Sequence, residues 1–564
     1  MRLPVLSLLV AGYGATALST SGVQPLGDAN HIFNAIHDSM RQFGSSLHHN
    51  GMSFFLASVP EGIQLYHGNA SPEYLKEIGW MAFEPEHAMV FARPARPGQR
   101  ENNQDNDAQQ QPLTSDSVQD ADDEADQKPS GYLHTYKTAK PLRLLYIDGT
   151  SAGKSQIGTL DSQDRILFND TIQGGVSMEE GRARSVCRLA EDEWGGRLDG
   201  VIRMAAGFEI ILCKPEANLL PVRVMPVEKQ KHEENKQKGF RGRGQDKGKD
   251  KKDKKGHHND KARGKHHDKK GKKGSKHAGH NNDKNQAQQD PDNGNGNGND
   301  NTKPRGKPKS LLYAITSRFN GIGGDRVVLN YNNFMTAYTY DLDLFPSTNS
   351  SGTEKEKRSP RLQHTPSSDL KPIRKDLTTL ILEHDVNDNK PNWQSIADLI
   401  VAKYAPILRD LAPRRQDDKL TSRREHQHKY KQSSMLKISE ILSPFASPSK
   451  DETLSLCASQ FVSIPNTNST LAHRALYSIS KTICSTLLNL ENEEDEEMIH
   501  ASIAELMKYL DWTTWKECRG CKGDEFCAVP IWPNGSEEDF ERPRCERFED
   551  GWGGRSGYWG GVWH

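Results

Sequence analysis

Two residues of this chain have the types and settings for sugar or acid–base chemistry. His67 closes the apolar run IQLYH at residues 63–67, and Gly68 follows it, leaving room for a ligand to approach the backbone. Glu209 stands inside the run FEIILC at residues 208–213, where a carboxylate is costly unless it faces a cleft or is paired. A carboxylate suits ribose hydroxyls and an oxocarbenium-like transition state. A neutral imidazole can donate to or accept from a sugar hydroxyl. The structural alternative is that His67 caps a strand end while Glu209 pairs with Arg203 on the neighbouring strand.

These residues need a scaffold, and the apolar spacing predicts an α+β one. Ile32, Phe33, Ile36, Met40, Phe43 and Leu47 recur at helical spacing over residues 31–47. Short apolar runs at 52–59, 63–67, 80–83, 132–136, 142–147, 201–204 and 208–213 read as strands. Helices are expected at 71–78, after Pro85, and at 177–194. The result is a mixed α+β domain over residues 31–95 and 131–227, split by a polar insertion at 99–130 that is too poor in apolar residues to order itself. Residues 310–345 read as a strand-rich continuation, 369–511 as a helical region with periodic faces such as Ile396, Leu399, Ile400, Tyr404, Ile407 and Leu408, and 512–564 as a small Cys/Trp-rich segment. Pro406 should kink its helix.

A net charge of −1 conceals a strong asymmetry. Residues 228–309 form a Lys/Gly/His/Asp-rich segment, expected to be disordered, and from Lys229 to Lys309 hold 25 Lys and Arg against 11 Asp and Glu. The functional reading is an arm for an anionic polymer or surface, bound through salt-sensitive counterion release, and the structural alternative is a solvated surface insertion whose interspersed Asp residues dilute the field.

Residues 149–155, GTSAGKS, follow a strand and look like a phosphate loop. One residue is missing between the glycines, and Gly158 breaks the helix that would hold phosphate, so a polar turn is the better reading.

Residues 1–19 carry a basic start, an apolar core and the small-x-small sequence Ala15-Thr16-Ala17, the form of a cleaved secretory signal. No other apolar run approaches the roughly 18–20 residues of a membrane helix. Secretion makes disulfides the expected use of Cys518, Cys521, Cys527 and Cys545, in preference to zinc, with three connectivities open; no metal site is expected. It also makes Asn69, Asn169, Asn349, Asn468 and Asn534 candidate glycosylation sites. Trp552, Tyr558, Trp559 and Trp563 among glycines read as a mobile tail or as a carbohydrate-binding aromatic strip. Trp512, Trp515, Cys518 and Cys521, followed by Arg542, Arg544 and Arg547, resemble part of a thrombospondin type 1 repeat, with fewer cysteines.

The order of parts resembles the ADP-ribosyltransferase-like fold: Tyr66-His67-Gly68 ending a first strand, then Met81-Ala82-Phe83, Glu86-His87-Ala88 and Phe91-Ala92, and finally Glu209 on a late strand. The resemblance implies NAD as cofactor, with Tyr66, His67, Gly68 and Phe83 around it. It further implies that His67 positions the ribose and that Glu209 bonds a ribose hydroxyl as nicotinamide leaves. Ala82 and Phe83 depart from the family by offering no hydroxyl. Over a longer span the words YHG, FEPEHA, IDG-SAGK and TLDSQDRILFND resemble uncharacterised secreted proteins of filamentous fungi, which implies secretion and no known activity. Two function classes follow: a secreted non-enzymatic interaction protein with a polybasic arm, or an enzyme of ADP-ribosyl transfer or NAD hydrolysis using His67 and Glu209.

Overall fold

Nine strands among the described residues join in one open sheet whose central apolar runs are buried on both faces, and two more pair separately. The computed structural model describes residues 26–93, 131–172, 175–227, 309–345, 359–386, 391–413, 433–550 and 557–560. The signal sequence, the insertion at 99–130 and almost all of the basic segment lie outside them. In chain order the strands are β1 (Asn50–Val59), β2 (Gln64–Asn69), β3 (Gly79–Ala82), β4 (Gly131–Thr138), β5 (Leu142–Gly149), β6 (Gly200–Met204), β7 (Phe208–Leu212), β8 (Leu219–Val227) and β9 (Val328–Thr336). The spatial order is β8-β4-β2-β3-β7-β6-β5-β1-β9. Every pairing is antiparallel except β5 with β6. That parallel pair requires a crossover, which is supplied by a π-helical turn (Ser162–Leu167), the helix at Glu179–Arg188 and a second π-helical turn (Leu189–Glu193).

Alternation along the strands sends residues to two cores. Phe55, Ala57, Leu65, Met81, Ile202 and Ile210 share one, and Phe54, Leu56, Trp80, Leu145, Val201 and Ile211 the other. In chain order the helices are α1 (Ala29–His37), α2 (Gln42–Leu47), α3 (Pro85–Met89), α4 (Glu179–Arg188), α5 (Pro215–Asn218), α6 (Lys309–Thr316), α7 (Ser367–Glu383), α8 (Trp393–Leu411), α9 (Ser434–Leu442), α10 (Lys450–Ala458), α11 (Leu471–Asn489), α12 (Glu496–Leu510) and α13 (Glu537–Glu541). The first core is completed by α1, α8, α11 and α12, and the second by α4 and α7.

Several sequence expectations need correction. The helix read over 31–47 is two helices, broken where Met40 takes a left-handed φ of 54°. Residues 71–78 are irregular: the Ser71 carbonyl accepts from His134 Nε2 at 2.9 Å, and the Leu75 amide donates to the Tyr136 hydroxyl at 3.0 Å. These long-range bonds replace the local ones a helix would make. Strand β8 was not among the expected strands. It carries Pro221 and Pro226, which a strand tolerates at a sheet edge, its position here. Helix α8 runs through Pro406, and Leu399 points outward at 57% exposure.

Four disulfides use all eight cysteines: Cys187–Cys213, Cys457–Cys484, Cys518–Cys527 and Cys521–Cys545. The last two hold the short hairpin of β10 (Glu525–Ala528) and β11 (Arg544–Arg547), so the C-terminal cysteines form bridges. Tyr558 and Trp559 are buried against His49, with the Trp559 indole donating to the Asn534 carbonyl at 3.1 Å. They are core residues, which removes them from a carbohydrate-binding strip; Trp552 and Trp563 lie outside the described residues. Trp512 likewise packs on Phe33 and Trp515, while Arg544 is held by Glu538 and Glu546. The thrombospondin-like stacking of arginine between tryptophans therefore does not extend to Arg544.

Candidate functional site

His67 is fully buried on β2. Its Nδ1 donates to the Trp80 carbonyl at 2.8 Å, so Nε2 carries the lone pair, sealed without a hydrogen-bond partner. Burial pushes the imidazole down to about 4, the Trp80 bond opposing and the nearby His134 ring reinforcing the shift. The ring is therefore neutral at physiological pH. Gly68 beside it does not admit a ligand. A Cβ there would lie 2.0 Å from the Ala88 carbonyl oxygen and 2.8 Å from the Ala92 amide nitrogen. The space is filled by α3 and the turn after it.

Register decides whether His67 and Glu209 can share a substrate. Tyr66 pairs with Ala82, Ala82 with Glu209, and Glu209 with Arg203, so these four lie in one row on one face. His67, one residue along, belongs to the opposite face with His134, Met81 and Ile210. One ribose cannot touch both from the same side. The remaining residues assigned to the cofactor fare no better. Phe83 is 1% exposed beneath the Arg326 guanidinium, 5.9 Å from its ring centroid. The Tyr66 hydroxyl donates to Gln64 Oε1 at 3.1 Å.

Glu209 instead joins a buried ion cluster. Arg203 donates to Glu209 Oε1 at 2.5 Å, to Gln163 Oε1 at 3.0 Å, and to Glu179 Oε1. Lys154 completes the balance 3.4 Å from Glu179 Oε2, with its ammonium over the Trp532 ring at 5.1 Å from the centroid. Burial opposes ionisation of Glu179, yet Arg203 foremost, then Lys154 and Arg182, draw its carboxyl down to about 2. Burial likewise opposes the Arg203 charge, and Glu179 and Glu209 raise its pKa above the ordinary guanidinium value. Arg203 and Lys154 face Glu179 and Glu209, with the buried Arg182–Asp164 pair alongside, an arrangement that neutralises charge within the fold. The partners Glu179 and Gln163 were not singled out from the sequence, and Lys154 was noticed only in the phosphate-loop lookalike. The one signal for them was Arg203 itself, a guanidinium in the apolar strand GVIRM that demands acceptors.

The phosphate-loop lookalike contributes Lys154 to this cluster and has no amide cradle. The amides of Thr150, Ala152, Gly153 and Ser155 donate to the carbonyls of His49, Met204, Thr150 and Gly153. A phosphate would find those donors already used.

Comparison with known proteins gives this region its relatives. Residues 23–234 match the YPL277C N-terminal domain. Two Saccharomyces cerevisiae proteins, described as uncharacterized protein YPL277C and uncharacterized protein YOR389W, are each 29% identical to this chain over 202 residues. The match covers 32% of this chain and 39% and 31% of theirs, so the chain spans about a third of the length of these relatives. No solved structure matches. The similarity is thus to uncharacterised fungal proteins, and no likeness to ADP-ribosyltransferases emerges. Since the match ends at residue 234, it includes β1 to β8 but neither β9 nor the helices from α6 onward.

Among the glycosylation candidates, Asn69 is only 8% exposed and its side-chain oxygen accepts from the Ala70 amide, whereas Asn169 and Asn468 are exposed. Asn534 is half-buried, and Asn349 lies outside the described residues. Expressed through a secretory route, the protein should carry glycans at Asn169 and Asn468 and none at Asn69. Peptide mapping after enzymatic deglycosylation in heavy-oxygen water checks this, and a fully occupied Asn69 would contradict the placement of β2.

Proposed function

We propose that this chain is a secreted, disulfide-stapled binding protein that does not consume NAD and that engages an anionic polymer through its basic segment. The observation that carries the reading is the division of His67 and Glu209 between opposite faces of one sheet, each committed to protein partners. Two further facts support it. All eight cysteines are paired, as suits an oxidising compartment. The surplus of 25 basic over 11 acidic residues between Lys229 and Lys309 makes a strong local field for polyanions. No helix among the described residues is long and apolar enough to cross a membrane.

The test uses the secreted full-length protein in two assays. Incubation with NAD should release no nicotinamide above a buffer blank; release abolished by Glu209→Gln would restore the enzyme reading. Binding to double-stranded DNA or a sulfated polysaccharide should weaken steeply with salt, with a log–log slope for DNA of magnitude about 6 or more. Replacing the lysines between residues 247 and 276 by glutamine should remove most of that slope. Binding that is indifferent to salt or to these replacements would overturn the polyanion reading.

A further inference from the structure

A groove that shares no residue with the ion cluster lies beside the crossover. Between α4 with its π-helical extension and the ends of β6 and β7 runs a groove of about 1080 Å³, which shares Ile78, Cys213, Lys214 and Ala217 as lining with a smaller hollow of about 470 Å³. The Cys187–Cys213 disulfide ties α4 to the residue after β7 and so fixes the width of the groove. Ile78, Ile172, Met178, Leu198 and Ala190 supply apolar lining, and Met178 stands 41% exposed at its edge. This is the volume and character of a small-molecule site.

The polar groups in the lining select the ligand. Lys140 is taken by Asp199, Lys214 by Glu191 and Arg184 by Glu180. One buried donor is left unmatched, and one guanidinium has no carboxylate partner among the described residues. Asn218 is 2% exposed, and its side-chain nitrogen has no hydrogen-bond partner among the described residues. Such an orphaned donor is costly to bury unless an acceptor arrives. Arg188 donates to the Ser185 hydroxyl at 3.0 Å and pairs with no carboxylate among the described residues. Asp192, one helical turn beyond it, is the competing charge in the same lining.

We propose that this groove binds an acyl-chain carboxylate, with the chain on the apolar lining and the anionic head answering the Arg188 charge and the unmatched Asn218 donor. The site is independent of the basic segment and of any reaction with NAD.

Dansyl-labelled undecanoate serves as the probe, displaced from the full-length protein by dodecanoate, dodecanol or dodecyltrimethylammonium below their micellar concentrations. Saturable fluorescence is expected, with displacement strongest for dodecanoate and weakest for the cation. Arg188→Gln, at an exposed position, should weaken dodecanoate about tenfold and leave dodecanol unchanged. Gly181→Phe should abolish probe binding by filling the groove. A Cβ at Gly181 meets only the Met178 side chain, at 3.6 and 3.9 Å, so the fold tolerates the change, and an unaltered melting curve confirms that. Fluorescence that never saturates, a preference for the cationic amphiphile, or undiminished binding by folded Gly181→Phe would overturn the proposal.

Discussion

Arg203→Met should destabilise the protein by about 3–5 kcal/mol, the range for removing one side of a buried charge arrangement. Arg203 is fully buried, and both Glu179 and Glu209 rely on it. Without it, among the described residues Glu179 keeps only Lys154, at 3.4 Å, as an ion-pair partner, and Glu209 has none in direct contact. The cost should therefore come from stranded carboxylates and little from lost packing, since methionine refills most of the volume. Adding Glu179→Gln and Glu209→Gln to Arg203→Met should recover a substantial part of the loss. Urea denaturation at neutral pH reads the difference, provided the slope with denaturant stays constant. If the triple variant is as unstable as the single one, charge compensation is not what holds these strands.

Acid titration gives an independent reading of the same cluster. The Glu179 carboxyl is drawn from an ordinary 4.5 down to about 2 in the folded protein. A depressed carboxyl contributes stability that is complete above its unfolded pKa and is lost as pH falls through its folded one. Wild type should therefore lose stability between about pH 4.5 and pH 2, and Glu179→Gln should flatten that part of the curve.

The elements were far more legible than the site, for a physical reason. Apolar runs such as MSFFLASV and FEIIL announce buried strands wherever they pair, because burial on both faces leaves little room for polar residues. What a side chain faces depends on parity, and parity is set by pairing. Nothing in Tyr66-His67-Gly68 says whether Tyr66 or His67 will share a face with Glu209; the Tyr66–Ala82 and Ala82–Glu209 pairs decide it, and a one-residue slip would have reversed the outcome. Order along the chain can imitate a ribose site that the register then divides. The groove beside Cys187–Cys213 was hidden for a related reason: its lining comes from segments on both sides of the crossover and from the disulfide that spans it. Residues 71–78 show the converse, where a plausible helix yields to two hydrogen bonds from a distant strand.

Gly68 offers the sharpest test of that division between motif and packing. If the glycine served a ligand, Gly68→Ala would impair binding while leaving the fold largely intact. The structure requires the opposite. The added methyl would sit 2.0 Å from the Ala88 carbonyl oxygen and 2.8 Å from the Ala92 amide, both backbone atoms that no rotamer change can move aside. Either β2 or the segment carrying α3 must shift, at a cost of about 1–3 kcal/mol as for other overpacked cores. The shift should also disturb the row above it, where Tyr66 and Ala82 lead to Glu209. Hydrogen exchange should accordingly show faster exchange in β2 and β3 and little change in α8 or α11, which pack on the far side of the first core. A Gly68→Ala protein with wild-type stability and exchange would mean that the approach of α3 is looser than this geometry allows, and would return the glycine to the surface of a ligand cleft.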